Sequence, residues 1–164
     1  MKKLYLIRHA KSDWSVASQN DFERGLNARG RKAIVTMSKV LNERGIIPDL
    51  ILTSSATRAS LTAKGLANNL PQNVKIKCLD ALYMAEPLEV IEVIKEIKDK
   101  YNTLFIVGHN PETTELTDLM MDDTIDNVPT LGIVAFNVPI KHWKKFSPEK
   151  AILDFYIYPK MFKS

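Results

Sequence analysis

Leu4-Tyr5-Leu6-Ile7-Arg8-His9-Ala10-Lys11-Ser12-Asp13-Trp14 is the stretch on which the fold turns. Its four leading apolar residues favour a strand. A continuous apolar run marks a strand buried on both faces, as in a parallel sheet. Arg8 and His9 then emerge at the carboxyl end of a central strand, where open α/β sheets hold their ligands. Two similar strands follow, Leu50-Ile51-Leu52-Thr53 and Thr103-Leu104-Phe105-Ile106-Val107. The first leads to Arg58 and the second to His109. Three strand ends thus bring two histidines and two arginines toward one point, which predicts an anion pocket built around a histidine nucleophile.

Outward from these strands the chain alternates β and α signals. Residues 11–27 read as a long polar loop, which in a compact domain is more often functional than idle. Asn27 suits the cap of a helix over 28–44, and Gly45 the left-handed position that ends it. Ser54 and Ser55 are expected to cap a second helix with Arg58 in its first turn, beside the free N–H groups. Residues 74–79 alternate apolar with Lys, the pattern of an edge strand. Pro87 opens a third helix, with Val90, Ile91, Ile94, Ile97 and Tyr101 on its inner face. Asn110 and Pro111 read as cap and first residue of a fourth, with Leu116, Leu119 and Met120 turned inward. Two more strands are expected at 132–138 and 152–158. The alternation predicts an α/β three-layer sandwich, with a mostly parallel central sheet and helices on both faces. No repeat or Pro/Gly-rich linker breaks it, so residues 1–164 are expected to form a single domain.

Composition narrows the setting. Hydrophobic content of 45% and charged content of 26% are those of a soluble globular protein. The single cysteine, Cys78, excludes an internal disulfide framework and fits a reducing compartment. The first apolar run is too short for a signal-peptide core, and nothing approaches transmembrane length, so a cytoplasmic location and no membrane partner are expected. A net charge of +4 favours acidic partners without naming them. The basic residues 141–145 offer too few cations and stacking aromatics for a nucleic-acid platform and read as a solvated loop with one packing Trp. No motif addresses the oligomeric state, and a monomer is the default.

A lone histidine usually packs against backbone. Arg8 beside His9 changes the reading, because two arginines near an imidazole disfavour its protonated form and lower its pKa from ~6.5. A neutral imidazole is what a nucleophile at phosphorus requires. Its free nitrogen is set by the bond made by the other, expected to go to a backbone carbonyl. Arg58, near the hydroxyls of Ser54, Ser55 and Thr57, presents a planar fork of donors suited to a phosphoryl group. His109, in a Gly-His-Asn-Pro turn before a helix, suits hydrogen bonding to a transferring phosphoryl. Metal binding is the competing use of two histidines. Zinc sites need three or four protein ligands, however, His142 and Cys78 lie elsewhere, and two arginines repel a divalent cation. Neither a metal nor a cofactor is expected.

Leu6-Ile7-Arg8-His9-Ala10 resembles the Arg-His-Gly signature of the histidine phosphatase (phosphoglycerate mutase-like) superfamily, with Ala10 in place of the usual glycine. Ser54-Ser55-x-x-Arg58-Ala59-x-x-Thr62-Ala63 is similar to the segment carrying that family's second arginine, and Val107-Gly108-His109-Asn110-Pro111 to the one carrying its second histidine. Arg-His-Ala-Lys-Ser-Asp-Trp, Asp21-x-x-Arg24-x-Leu26-Asn27, Leu82-Tyr83-x-Ala85 and the tail from Trp143 to Pro159-Lys160 resemble the small phosphohistidine phosphatase branch of SixA type. The resemblance implies a phosphoglycerate mutase-like fold in which His9 attacks phosphorus and is transiently phosphorylated. It further implies that Arg8, Arg58 and His109 hold the phosphoryl oxygens. Lys11, Ser12 and Asn110 would be further substrate contacts.

Larger relatives supply a glutamate as general acid from the loop before the third helix. Here that position offers only Glu86, which is either such an acid or a surface cap preceding Pro87, the cap being favoured. Without an acid the leaving group must depart easily, as from phosphohistidine or an aryl phosphate. The short chain leaves the site open to a phosphorylated side chain of another protein. The expected activity is therefore a metal-independent phosphatase acting on phosphohistidine in proteins. The alternatives are a phosphatase of small phosphate esters from the same superfamily and a non-catalytic phosphate-binding module.

Overall fold

The computed structural model describes residues 1–16 and 20–162, so positions 17–19 of the expected long loop lie outside the described residues. Six strands form one sheet: β1 (Lys2–Arg8), β2 (Leu50–Ser54), β3 (Lys75–Leu79), β4 (Thr103–Gly108), β5 (Ile133–Val138) and β6 (Ile152–Ile157). Their order is β3-β2-β4-β1-β5-β6. β1 to β4 are mutually parallel; β5 runs antiparallel to both β1 and β6, so it alone opposes the common direction.

The alternation of side chains across the sheet decides which helix covers which face. Leu4, Leu6, Leu50, Leu52, Leu104 and Ile106 point to one face, where Val90, Ile91 and Ile94 of α3 (Pro87–Lys95) and Leu116 and Met120 of α4 (Glu112–Met120) meet them. Tyr5, Ile7, Ile51, Phe105 and Val107 point to the other, under α1 (Ala28–Glu43) and α2 (Thr57–Asn68). The result is the expected three-layer α/β sandwich. The basic loop is solvated while Trp143 within it is fully buried, its Nε1 donating to the Tyr101 carbonyl at 2.7 Å.

Several local expectations are corrected by tertiary partners. Neither serine caps α2: its N-cap is Ala56, the Ser54 hydroxyl lies at the end of β2, and the Ser55 hydroxyl donates to Asp80. Ile97 and Tyr101 lie beyond the end of α3, where Asp99 is drawn away to bond the Trp143 N–H and the His142 ring. Pro111 precedes α4 rather than opening it, and Leu119 is exposed. Asn27 does cap α1, its side chain accepting from the Gly30 N–H at 2.8 Å, and Gly45 follows with φ of +67°.

The register of β1 on β4 positions the site. Arg8 pairs with Gly108 at the last step, and the His9 N–H donates to the Gly108 carbonyl at 3.0 Å. His9 and His109 therefore leave neighbouring strands side by side. β2 flanks β4 on its other side and delivers Ser54 and, one turn into α2, Arg58 to the same end of the sheet.

Candidate active site

His9 and His109 are both buried, with ring centroids 5.2 Å apart. His9 Nδ1 lies 2.7 Å from the Ala10 carbonyl. A carbonyl only accepts, so Nδ1 carries the proton and Nε2 keeps its lone pair. Burial drives the His9 pKa down to about 3, aided by His109, Arg58 and Arg8 and opposed by the Ala10 carbonyl. Burial likewise lowers His109 to about 4, with Arg58 the next cause.

Ser54 fixes the second imidazole. Its hydroxyl accepts from the Ala56 N–H at 3.2 Å and lies 2.8 Å from His109 Nε2. Assigning the hydroxyl proton to that nitrogen gives it an acceptor and makes Nδ1 the protonated ring nitrogen. Nδ1 is buried and makes no hydrogen bond. Arg8 and Arg58 are in the same condition: Arg8 spends Nη1 on the Val128 carbonyl at 3.0 Å and Arg58 spends both terminal nitrogens on Asp21, yet both Nε groups are buried without a partner. Three orphaned N–H donors and two guanidinium charges thus share one small region. Buried donors without acceptors are costly, by roughly 1–3 kcal/mol each, and any acceptor that reaches them relieves that cost.

Asp21 organises the far wall. Its carboxylate accepts from Arg24 and Arg58, each at 3.1 Å, and from the Tyr83 hydroxyl at 2.6 Å. The Tyr83 bond first, then the two arginines, hold this carboxyl well below the usual carboxylate range. Arg24 also donates to the Ser12 hydroxyl and stacks on Trp14, 3.5 Å from the ring centre. Asp21, Arg24 and Tyr83 stand in sequence as motif fragments, but nothing in their spacing pairs them with Arg58. The sequence suggests Ser54 as a cap and as a hydroxyl near Arg58, and its contact with His109 comes from the neighbouring strand end.

The predicted residues are distributed as follows. Arg8, His9, Arg58 and His109 converge. Ser12 is buried under Arg24. Asn110 lies next to His109 with its amide fully engaged: Nδ2 donates to Asn127 Oδ1 and the Val128 carbonyl, and Oδ1 accepts from Thr114. Lys11 is exposed. Glu86 is exposed too and forms a capping box with Glu89 at the start of α3. Ala10 is fully buried, and its N–H donates to Thr62, whose hydroxyl donates to the Arg58 carbonyl. The methyl group is therefore accommodated in the core, and the backbone there does not require a glycine.

A cleft of about 400 Å³ opens over Arg58 and His109, bounded by Asp21, Tyr83, Met84, Glu86, Asn110, Glu112 and Glu115. Among the described residues no three His, Cys, Asp or Glu side chains cluster to hold a metal ion, and no helix is long and apolar enough to cross a membrane.

The family model of the histidine phosphatase superfamily (branch 1) matches residues 4–83. An uncharacterized protein of Mycobacterium tuberculosis is 32% identical over 157 residues, covering 90% of this chain and 96% of that one. An uncharacterized chloroplastic protein of Arabidopsis thaliana is 26% identical over 76% of this chain, which spans only 61% of that relative's length. Among solved structures, the protein histidine phosphatase SixA complexed with tungstate superposes with a TM-score of 0.83 at 16% identity, covering 98% of this chain and 99% of that one. That likeness is one of fold.

Proposed function

The chain belongs to the histidine phosphatase superfamily, and on that footing we propose that it is a metal-independent phosphatase that removes phosphate from phosphohistidine on proteins through a phosphorylated His9. The observation that carries this reading is the set of buried, unpartnered donors, Arg8 Nε, Arg58 Nε and His109 Nδ1, on three residues whose charges act on an imidazole with its Nε2 free. The tungstate held by the structurally similar SixA is an oxyanion of the kind such a set suits.

In this proposal His9 Nε2 attacks phosphorus while the bond to the leaving group breaks, its electron pair departing with that group. Arg8, Arg58 and the His109 N–H bind the phosphoryl oxygens as charge moves onto them. Water then attacks the phosphorylated His9, releasing phosphate and restoring the neutral ring. Ser12 and Asn110 act as positioning residues, through Arg24 and Val128, and Lys11 is exposed in the loop that follows His9. Glu86 serves α3 as a cap, so no carboxylic acid is assigned to the leaving group from that loop, which favours phosphoramidates and aryl phosphates over sugar phosphates. The unpaired Cys78 favours a cytoplasmic setting.

His9→Ala is expected to abolish hydrolysis of 4-nitrophenyl phosphate, and wild-type turnover is expected to survive a chelator. Residual activity near wild type in His9→Ala sinks the nucleophile, and inactivation by the chelator sinks metal independence. Faster turnover of a small phosphate ester than of a phosphohistidine protein would move the substrate to the metabolite class.

A further inference from the structure

The net charge of the chain is +4, yet the outer wall of the cleft is acidic. Glu86, Glu112 and Glu115 line it, and among the described residues Arg58 is the cation on the cleft and no lysine lines it. Glu86 and Glu115 are exposed, and their charges act on Glu112. Glu112 differs from both. It is only 5% exposed, it faces both the cleft and a small apolar cavity behind it, and its Oε2 is buried without a hydrogen-bond partner. A carboxylate oxygen is an acceptor only, and in this setting it lacks a donor. Burial pushes the Glu112 pKa up, only partly offset by the N–H groups of Glu112 and Ala85. A positively charged donor set against the orphaned Oε2 offsets the cost of burying its charge and favours the ionised form.

Such a wall is a poor neighbour for a phosphate ester carrying only negative charge. It suits a substrate whose phosphoryl group sits among the donors while a positively charged group extends along the cleft. Resting on the phosphatase reading above, we infer that Glu112, supported by Glu86 and Glu115, selects phosphoramidates whose ring is protonated, by accepting a hydrogen bond from the N–H of the phosphohistidine ring nitrogen not bonded to phosphorus.

The chemistry explains how the reaction proceeds without a general acid. An uncharged phosphohistidine ring expels imidazolate, a strong base. A ring protonated on its second nitrogen expels neutral imidazole. When His9 Nε2 bonds to phosphorus, the P–N bond of the substrate breaks and its electron pair returns to the departing ring, which keeps the proton it brought. His9, already protonated on Nδ1, takes over the positive charge. One imidazolium phosphoramidate becomes another, and no proton crosses the site. Water then forms the P–O bond as the His9 P–N bond breaks, giving dihydrogen phosphate and neutral His9. Glu112 favours the protonated substrate ring through a charge-assisted hydrogen bond.

The test compares a phosphohistidine peptide with 4-nitrophenyl phosphate, whose leaving group carries no cation. In Glu112→Gln the ratio of kcat/KM for the peptide to that for the aryl ester is expected to fall about tenfold or more. In Glu115→Gln, an exposed position, the ratio should fall in the same direction by less. A merely structural role of Glu112 lowers both rates together and leaves the ratio unchanged. An unchanged ratio in Glu112→Gln overturns the inference, whether both rates fall or neither does. If wild-type protein hydrolyses neither substrate, the phosphatase reading itself fails, and this inference with it.

Discussion

His9 has to be buried among cations and still present a lone pair, and the same burial that strips its charge keeps it nucleophilic. The lowered pKa values carry a consequence for stability. Both folded values, about 3 for His9 and about 4 for His109, lie below the unfolded reference of ~6.5. Above that reference neither state is protonated, whereas below it the unfolded chain takes up protons that the folded one refuses. Stability is therefore lost as pH falls from the unfolded value toward the folded ones. By pH 5 each histidine costs about 2 kcal/mol. Denaturant unfolding at pH 7 and pH 5 should show a smaller loss in His9→Asn than in wild type, and identical losses would contradict the account. At this scale the sequence made His9, Arg8, Arg58 and His109 legible, because each ends a strand, directly follows one or lies in the first turn of the helix after one. Asp21 was not legible as their organiser. Its bonds to Arg58 and Tyr83 join residues far apart in the chain, and only the folded loop brings them together.

The elements hold the reactive residues at a set distance, and Gly30 shows how. A glycine inside a helix costs roughly 0.5–1 kcal/mol relative to alanine, yet one stands in the first turn of α1. A Cβ at that position would lie 2.2 Å from the Lys11 carbonyl oxygen. The same carbonyl accepts from the Asn27 N–H at 3.1 Å, and the Asn27 side chain donates to the Ser12 carbonyl at 3.2 Å. The start of α1 is thus clamped to the loop that carries His9. Gly30→Ala should improve helix propensity while driving the loop away, with kcat/KM on an aryl phosphate falling on the order of 100-fold. Activity equal to wild type would show that the clamp does not position His9. Helix ends set by local chemistry, such as Asn27 and Gly45, were readable in advance. The expected caps at Ser54 and Ser55 were not realised, because His109 and Asp80 hold their hydroxyls, and those partners are distant in the chain.

Across the whole molecule, apolar runs and alternation identified the strands and the two helical layers. They did not determine the reversed direction of β5, which depends on long-range pairing with β1 and β6. What the sheet accomplishes is convergence: β1 contributes Arg8 and His9, β4 leads to His109, and β2 with α2 brings Ser54 and Arg58 to the same edge. The central claim is that this convergence lets His9 Nε2 accept a phosphoryl group. It is tested most directly by mixing wild-type protein with a phosphorus-labelled aryl phosphate, quenching within a single turnover in alkaline denaturant, and mapping the label by mass spectrometry. The account predicts label on Nε2 of His9 and none in His9→Asn. Turnover with no label on His9, or with label on another residue, would contradict it.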